Sequence, residues 1–318
     1  MNQKQKIFLA STILIVIVSF VIITCNAVSP HVSNKLKIVT TFYPLTYLTQ
    51  QIGGDYVEIT QLMPDNVDVH SWEPSVSHIL AADDANIIFY NGAGVDHWVE
   101  EDIVALLSVD DNRVVVETTF NLTLIGNVEE YGHGVNDVHE HGLYDPHTWV
   151  SPYMARMQAE IIYDALVAFD FEHENYYAQR WNSLKQQLEQ LDGMYLSELS
   201  NVVYNSVFVS HEAYGYLADR YGFEQHGVIG ISADQQPSVT TINNMIKDMQ
   251  KHQVSTIYFD PVYSNEYVQT IKNEIQKQTG QTVIVLKLYL MTGSVDGLDY
   301  LEQMQINLVN LKIGLEVN

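Results

Sequence analysis

Three histidines occupy positions where an α/β protein commonly does its chemistry. His70 lies in Met63-Pro64-Asp65-Asn66-Val67-Asp68-Val69-His70-Ser71-Trp72-Glu73-Pro74, after a predicted strand and before a predicted helix. His147 follows Asp145-Pro146 and precedes Thr148-Trp149-Val150-Ser151-Pro152, so a proline that fixes the backbone and a tryptophan able to bury the turn bracket it. His211 ends the run Ser206-Val207-Phe208-Val209-Ser210 and leads into Glu212-Ala213-Tyr214-Gly215-Tyr216. Taken singly, a loop histidine is ordinarily a solvated or structural side chain. Ligands of open α/β sheets bind at the carboxyl ends of strands, and three histidines at strand ends or ordered turns in both halves of the chain point to one cleft. Neutral imidazoles suit zinc, and three nitrogens with an open or oxygen-filled fourth position is a zinc arrangement. Asp145 and Glu212 are placed to accept hydrogen bonds from ligand imidazoles and orient them.

Composition narrows the chemistry. The 318 residues include 12 His and a single Cys, Cys25, which excludes an internal disulfide framework and any cysteine-rich zinc or iron–sulfur site. With 15 Lys+Arg against 39 Asp+Glu, the net charge of −24 argues against nucleic acid as a partner, because phosphate binding needs cationic side chains. It suits cationic partners. The loop at 129–146 concentrates both features: His133, His139 and His141 with five acids and no Lys or Arg. It reads as an auxiliary metal-collecting loop or, more simply, as a solvated acidic one.

The positioning elements follow from periodicity. Short β-rich runs at 36–41, 57–63, 86–90 and 113–117, then at 206–209, 228–231, 256–259 and 282–286, alternate with helical patterns, which predicts parallel sheets in two α/β lobes. Trp72-Glu73-Pro74-Ser75-Val76 and Gln235-Gln236-Pro237-Ser238-Val239 each open a helix that leads into a strand, so the lobes should share a topology, with proline at each helix start. Between them Tyr177, Trp181, Leu184, Leu188, Leu191 and Tyr195 form one apolar stripe, the signature of a rigid connecting helix of about 25 residues. The expected organisation is a signal peptide or membrane anchor at 1–25, a tether at 26–34, an N-terminal lobe at 35–172, the connecting helix at 173–200 and a C-terminal lobe at 201–318. Lys4 and Lys6 ahead of the uncharged run at 7–23 mark export, with Cys25 as a candidate lipid attachment site or as part of an anchoring helix. Either way the remainder is extracytoplasmic.

These motifs together resemble the metal-specific solute-binding proteins of ABC importers, the group that takes up zinc or manganese. The resemblance runs from Val39-Thr40-Thr41-Phe42-Tyr43-Pro44 to Asn307. It rests on His70 ahead of Trp72-Glu73-Pro74-Ser75, on Asp145-Pro146-His147-Thr148-Trp149, and on His211-Glu212-Ala213-Tyr214-Gly215-Tyr216. It implies two α/β lobes joined by one long helix, with His70, His147 and His211 as metal ligands in the interlobe cleft. Many members add a carboxylate after the last strand, but here Val285-Leu286-Lys287-Leu288-Tyr289-Leu290 carries no acid. Water, Asp260 or Glu73 would fill the fourth position. A nitrogen-rich site favours zinc over the harder manganese, although manganese or iron remains the alternative cargo. The implied function is capture of Zn2+ and its delivery to an ABC permease by a monomeric, non-enzymatic protein. A zinc hydrolase using Glu73 or Glu212 as base would lack the helical His-Glu-x-x-His pattern. A role in cell adhesion rests on family analogy alone.

Overall fold

The computed structural model describes residues 35–108, 112–126, 143–231 and 237–317. The chain divides into two units, Met1–Lys35 and Leu36–Asn318, and every element below belongs to the second. The expected leader or anchor at 1–25, Cys25, the tether, and His133, His139 and His141 lie outside the described residues. Among the described residues no helix is long and apolar enough to cross a membrane.

Strands β1 (Leu36–Thr40), β2 (Val57–Gln61), β3 (Ile87–Tyr90) and β4 (Val114–Glu117) form a parallel sheet in the order β2-β1-β3-β4. Strands β5 (Ser206–His211), β6 (Glu224–Ile229), β7 (Thr256–Phe259) and β8 (Ile284–Lys287) repeat that order as β6-β5-β7-β8, again all parallel. The expected pair of lobes with shared topology is therefore present. Inner strands β3 and β5 are buried at every residue, as strands covered on both faces must be, whereas edge strand β2 alternates. In each sheet the chain reverses its direction of travel at the first strand, β1 or β5, and such reversals open a crevice at the carboxyl ends of the strands. The sequence places the start of β6 four residues late. Glu224, Gln225 and His226 are polar, and an edge strand tolerates them.

Helices α1 (Tyr43–Gly53), α2 (Val76–Asp83), α3 (Pro152–Phe169), α4 (Glu174–Glu198), α5 (Gly215–Tyr221), α6 (Val239–His252), α7 (Glu266–Thr279) and α8 (Tyr300–Leu315) cover the sheets. Helix α4 is the expected connector, and all six residues of its predicted stripe are buried. It packs along α1 and α3 of the first lobe and along α5 and α8 of the second. The helices that open the two lobe echoes are capped by Ser75 and Ser238, so Pro74 and Pro237 stand one residue before the caps and not inside the first turn. Ser238 Oγ accepts the Thr241 N–H at 3.1 Å, while the Ser75 N–H donates to His78 Nδ1 at 2.9 Å.

Side chains tie the lobes together across the cleft. The Trp149 indole N–H donates to Leu290 O at 2.8 Å, and the Tyr300 hydroxyl donates to Trp149 O. The Tyr216 hydroxyl donates to Asp145 O at 2.6 Å. These bonds are buried, so each spares a polar group that would be costly to leave unpaired.

Candidate metal centre

His147 is held most tightly. Its backbone N–H and its ring Nδ1 both reach Asp145 Oδ1, at 2.9 and 2.8 Å. A carboxylate only accepts, so Nδ1 carries the proton and the lone pair sits on Nε2. The turn is pinned from behind by a buried polar network. Asn91 Nδ2 donates to Pro146 O at 3.0 Å, while Asn91 Oδ1 accepts from Gln158 Nε2 at 2.9 Å and from the Thr148 hydroxyl at 3.2 Å. Asp96 in turn accepts the Asn91 and Gly92 N–H groups at 2.7 and 2.8 Å, and its burial pushes its pKa up to about 6. Nothing local in the sequence marks the bonds of Asn91 to Pro146 and to Gln158, which span 55 and 67 residues.

His211 is the last residue of β5, at the strand end where its sheet reverses. Its Nε2–H donates to Ile231 O at 2.8 Å, which leaves the lone pair on Nδ1. That atom is buried without a hydrogen-bond partner among the described residues. Burial, with a smaller contribution from His147, pushes the His211 pKa down to about 3, so the ring stays neutral and able to bind a cation.

His70, half-buried on the loop after β2, completes the group. Its Nε2 lies 3.1 Å from His147 Nε2, and its ring centroid lies 5.4 Å from that of His211. One ligand atom from each of the three histidines lies within 4.8 Å of the others. Two nitrogens each about 2.05 Å from a tetrahedral zinc stand about 3.3 Å apart, close to the spacing of the two Nε2 atoms. An orphaned buried nitrogen and two facing Nε2 atoms fit a cation that accepts lone pairs from all three.

The structure does not bring Glu73 or Asp260 into this cluster. Glu73 is exposed. Asp260 is buried, but Oδ1 accepts the Val262 N–H at 2.7 Å and Oδ2 accepts that of Leu290, so its carboxylate is spent on backbone. Burial pushes its pKa up to about 7. Of the two acids expected to orient ligands, Asp145 does so, whereas Glu212 Oε1 accepts the Gly227 N–H at 2.8 Å.

Paired parallel-sheet lobes around three converging imidazoles define a two-lobed α/β binding protein with a cleft able to hold a metal ion. The chain belongs to the ZnuA family, zinc-uptake complex component A, periplasmic, whose family model matches residues 38–314. It is 30% identical over 288 residues to the high-affinity zinc uptake system protein ZnuA of Bacillus subtilis (strain 168), covering 89% of each chain. It is also 30% identical over 286 residues to the zinc-binding lipoprotein AdcA of Streptococcus pneumoniae (strain R6), covering 88% of this chain but only 56% of that longer protein. Among solved structures it is similar to the laminin-binding protein Lmb of Streptococcus agalactiae, described as bifunctional with adhesin and metal transporting activity. That match has a TM-score of 0.75 and 28% identity, and covers 88% of this chain and 99% of the other. The Zn(II)-bound ZnuA-like domain of Streptococcus pneumoniae AdcA matches with a TM-score of 0.71 and 27% identity, covering 89% and 99%.

Proposed function

We propose that this protein captures Zn2+ outside the cytoplasm, holds it with His70, His147 and His211, and hands it to the permease of an ABC importer. The observation that carries the reading is the convergence of three imidazoles, two of them held with a lone pair turned inward by Asp145 on His147 and by Ile231 O on His211. Family membership and zinc-named relatives support the cargo. So does the chemistry of the donors, since neutral nitrogen suits zinc better than manganese. Water completes the coordination, because Asp260 is held by backbone amides and Glu73 is exposed. The function is reversible binding, in keeping with membership of a solute-uptake family, and Glu212, the candidate base, accepts the Gly227 N–H of β6. His133, His139 and His141 serve as an auxiliary metal-collecting segment. The protein acts as a monomer, attached to the membrane through lipid on Cys25 or through an N-terminal helix. Metal analysis of protein purified without chelator should find one zinc per chain, and zinc should outcompete equimolar manganese. Manganese winning that competition would overturn the cargo, and a His147→Ala variant that retained stoichiometric zinc would overturn the site.

A further inference from the structure

We propose that Tyr263 is a positioning residue that latches the two lobes over the metal by fixing the loop that carries His70; this rests on the three-histidine reading of the site. The Tyr263 hydroxyl donates to Asp68 Oδ1 at 3.0 Å. The same oxygen accepts the His70 backbone N–H, also at 3.0 Å. On its other side the Tyr263 ring meets the His211 ring edge-on, with centroids 5.4 Å apart at 69°. A continuous path therefore runs from the His70 backbone in the first lobe, through one carboxylate oxygen, to a phenol of the second lobe that lies against another ligand.

The three ligands do not need this help equally. His147 and His211 are buried, whereas His70 is half-buried on a loop, so it has the least packing to hold it. Its loop is also tethered across the cleft by Asn66 N–H to Thr292 O at 3.1 Å and Asn66 Nδ2 to Ser294 O at 3.2 Å, four residues before His70. Tyr263 itself is firmly mounted. Its N–H donates to Asp260 O at 3.2 Å, and the buried Asp260 carboxylate ties the turn to Val262 and Leu290. Asp260, one of the carboxylates expected at the metal, instead builds the turn that presents Tyr263. A hydroxyl-to-carboxylate bond is among the stronger hydrogen bonds. This one exists only with the lobes together, so it favours the arrangement with His70 turned toward its partners. Pre-ordering that loop also spares the cost of ordering it when metal arrives.

Zinc dissociation into a chelator, measured on the full chain, tests the latch with wild type, Tyr263→Phe, Asp68→Ala, the double variant and His147→Ala. Tyr263→Phe keeps the ring against His211 and removes only the hydroxyl, so release should be faster by about tenfold, the worth of one hydrogen bond to a charged group. A purely structural role would lower the unfolding midpoint of the metal-free protein and leave the release rate alone. Adding Tyr263→Phe to Asp68→Ala should change nothing further. Equal release from Tyr263→Phe and wild type overturns the latch. So does an undiminished tenfold effect of Tyr263→Phe in the Asp68→Ala background, which would place its role on His211. Tight zinc binding by His147→Ala would instead sink the metal-site reading, a result separable from either.

Discussion

Two groups of histidines in this protein use the same side chain to different ends. In the cleft, His147 and His211 each anchor one ring nitrogen on a fixed acceptor, Asp145 or Ile231 O, and turn the other toward the centre, where His70 joins them. In the second lobe, His226 and His252 also face each other, with ring centroids 5.2 Å apart. There His226 stacks on Phe208 at 4.8 Å and 19°, and His252 Nδ1 contacts the Ser206 hydroxyl at 2.8 Å. Glu224 stands 3.9 Å from His226 Nε2. Burial lowers the pKa of His226 as it does that of His211, so each group contains a ring whose charged form burial disfavours. The difference is convergence: among the described residues only the cleft aims three ligand atoms at one point. Histidine clustering and burial are therefore insufficient for a metal site without acceptors that set which nitrogen faces inward.

The sharpest way to break this comparison is to remove an orienting acceptor and leave every imidazole in place. Asp145→Asn should weaken zinc binding by roughly 10- to 100-fold, the usual cost of losing a partner behind a ligand. Isothermal titration would measure it, and an unchanged affinity would mean that lone-pair orientation does not distinguish the two groups.

Acidity should separate them by an intermediate amount. The unfolded chain protonates His211 near pH 6.5, the folded one only near pH 3, so the folded state binds fewer protons in that window. Stability from this group is complete above about pH 6.5 and drains away as pH falls toward 3, by at most about tenfold in the folding equilibrium per pH unit. Asp96 and Asp260 act in the opposite sense, because their raised pKa values let the folded state hold protons between about pH 4 and 7 that the unfolded chain has released. Urea unfolding of the metal-free protein at pH 7, 6 and 5 should thus show His211→Gln gaining relative stability as pH falls, whereas His226→Gln should track wild type more closely. The reverse ranking would remove the distinction.

The smallest effect is expected from the outer pair. His226→Ala should leave zinc affinity within about twofold of wild type and cost about 0.5–1.5 kcal/mol of stability through the lost ring stack. A tenfold loss of zinc affinity would show that the outer histidines serve the metal after all.

How much of this was legible in the sequence depended on whether the signal was local. The connecting helix was readable because Tyr177, Trp181, Leu184, Leu188, Leu191 and Tyr195 repeat at helical spacing, and every one of them is buried. The three clustered histidines were readable because each follows a strand or sits in a turn, and Asp145 lies two residues from His147. Helix α3 was not anticipated, although Pro152 opens it. Long-range polar pairing was invisible: Asp68 meets Tyr263 across 195 residues, and Asn91 meets Gln158 across 67, and neither pairing leaves a periodic trace. Asp260, offered as a fourth ligand on the resemblance, accepts backbone amides of its own turn and of Leu290, pairings that leave no local signal.

Trp149 gives the centre an optical property. Its indole is fully buried, lies 5.2 Å from the His147 ring centroid, and donates its N–H to the opposite lobe at Leu290. An excited indole in that position senses the electronic state of a neighbouring imidazole. A cation bound by His147 should therefore change the emission of Trp149, so metal loading can be followed by intrinsic fluorescence without any added dye.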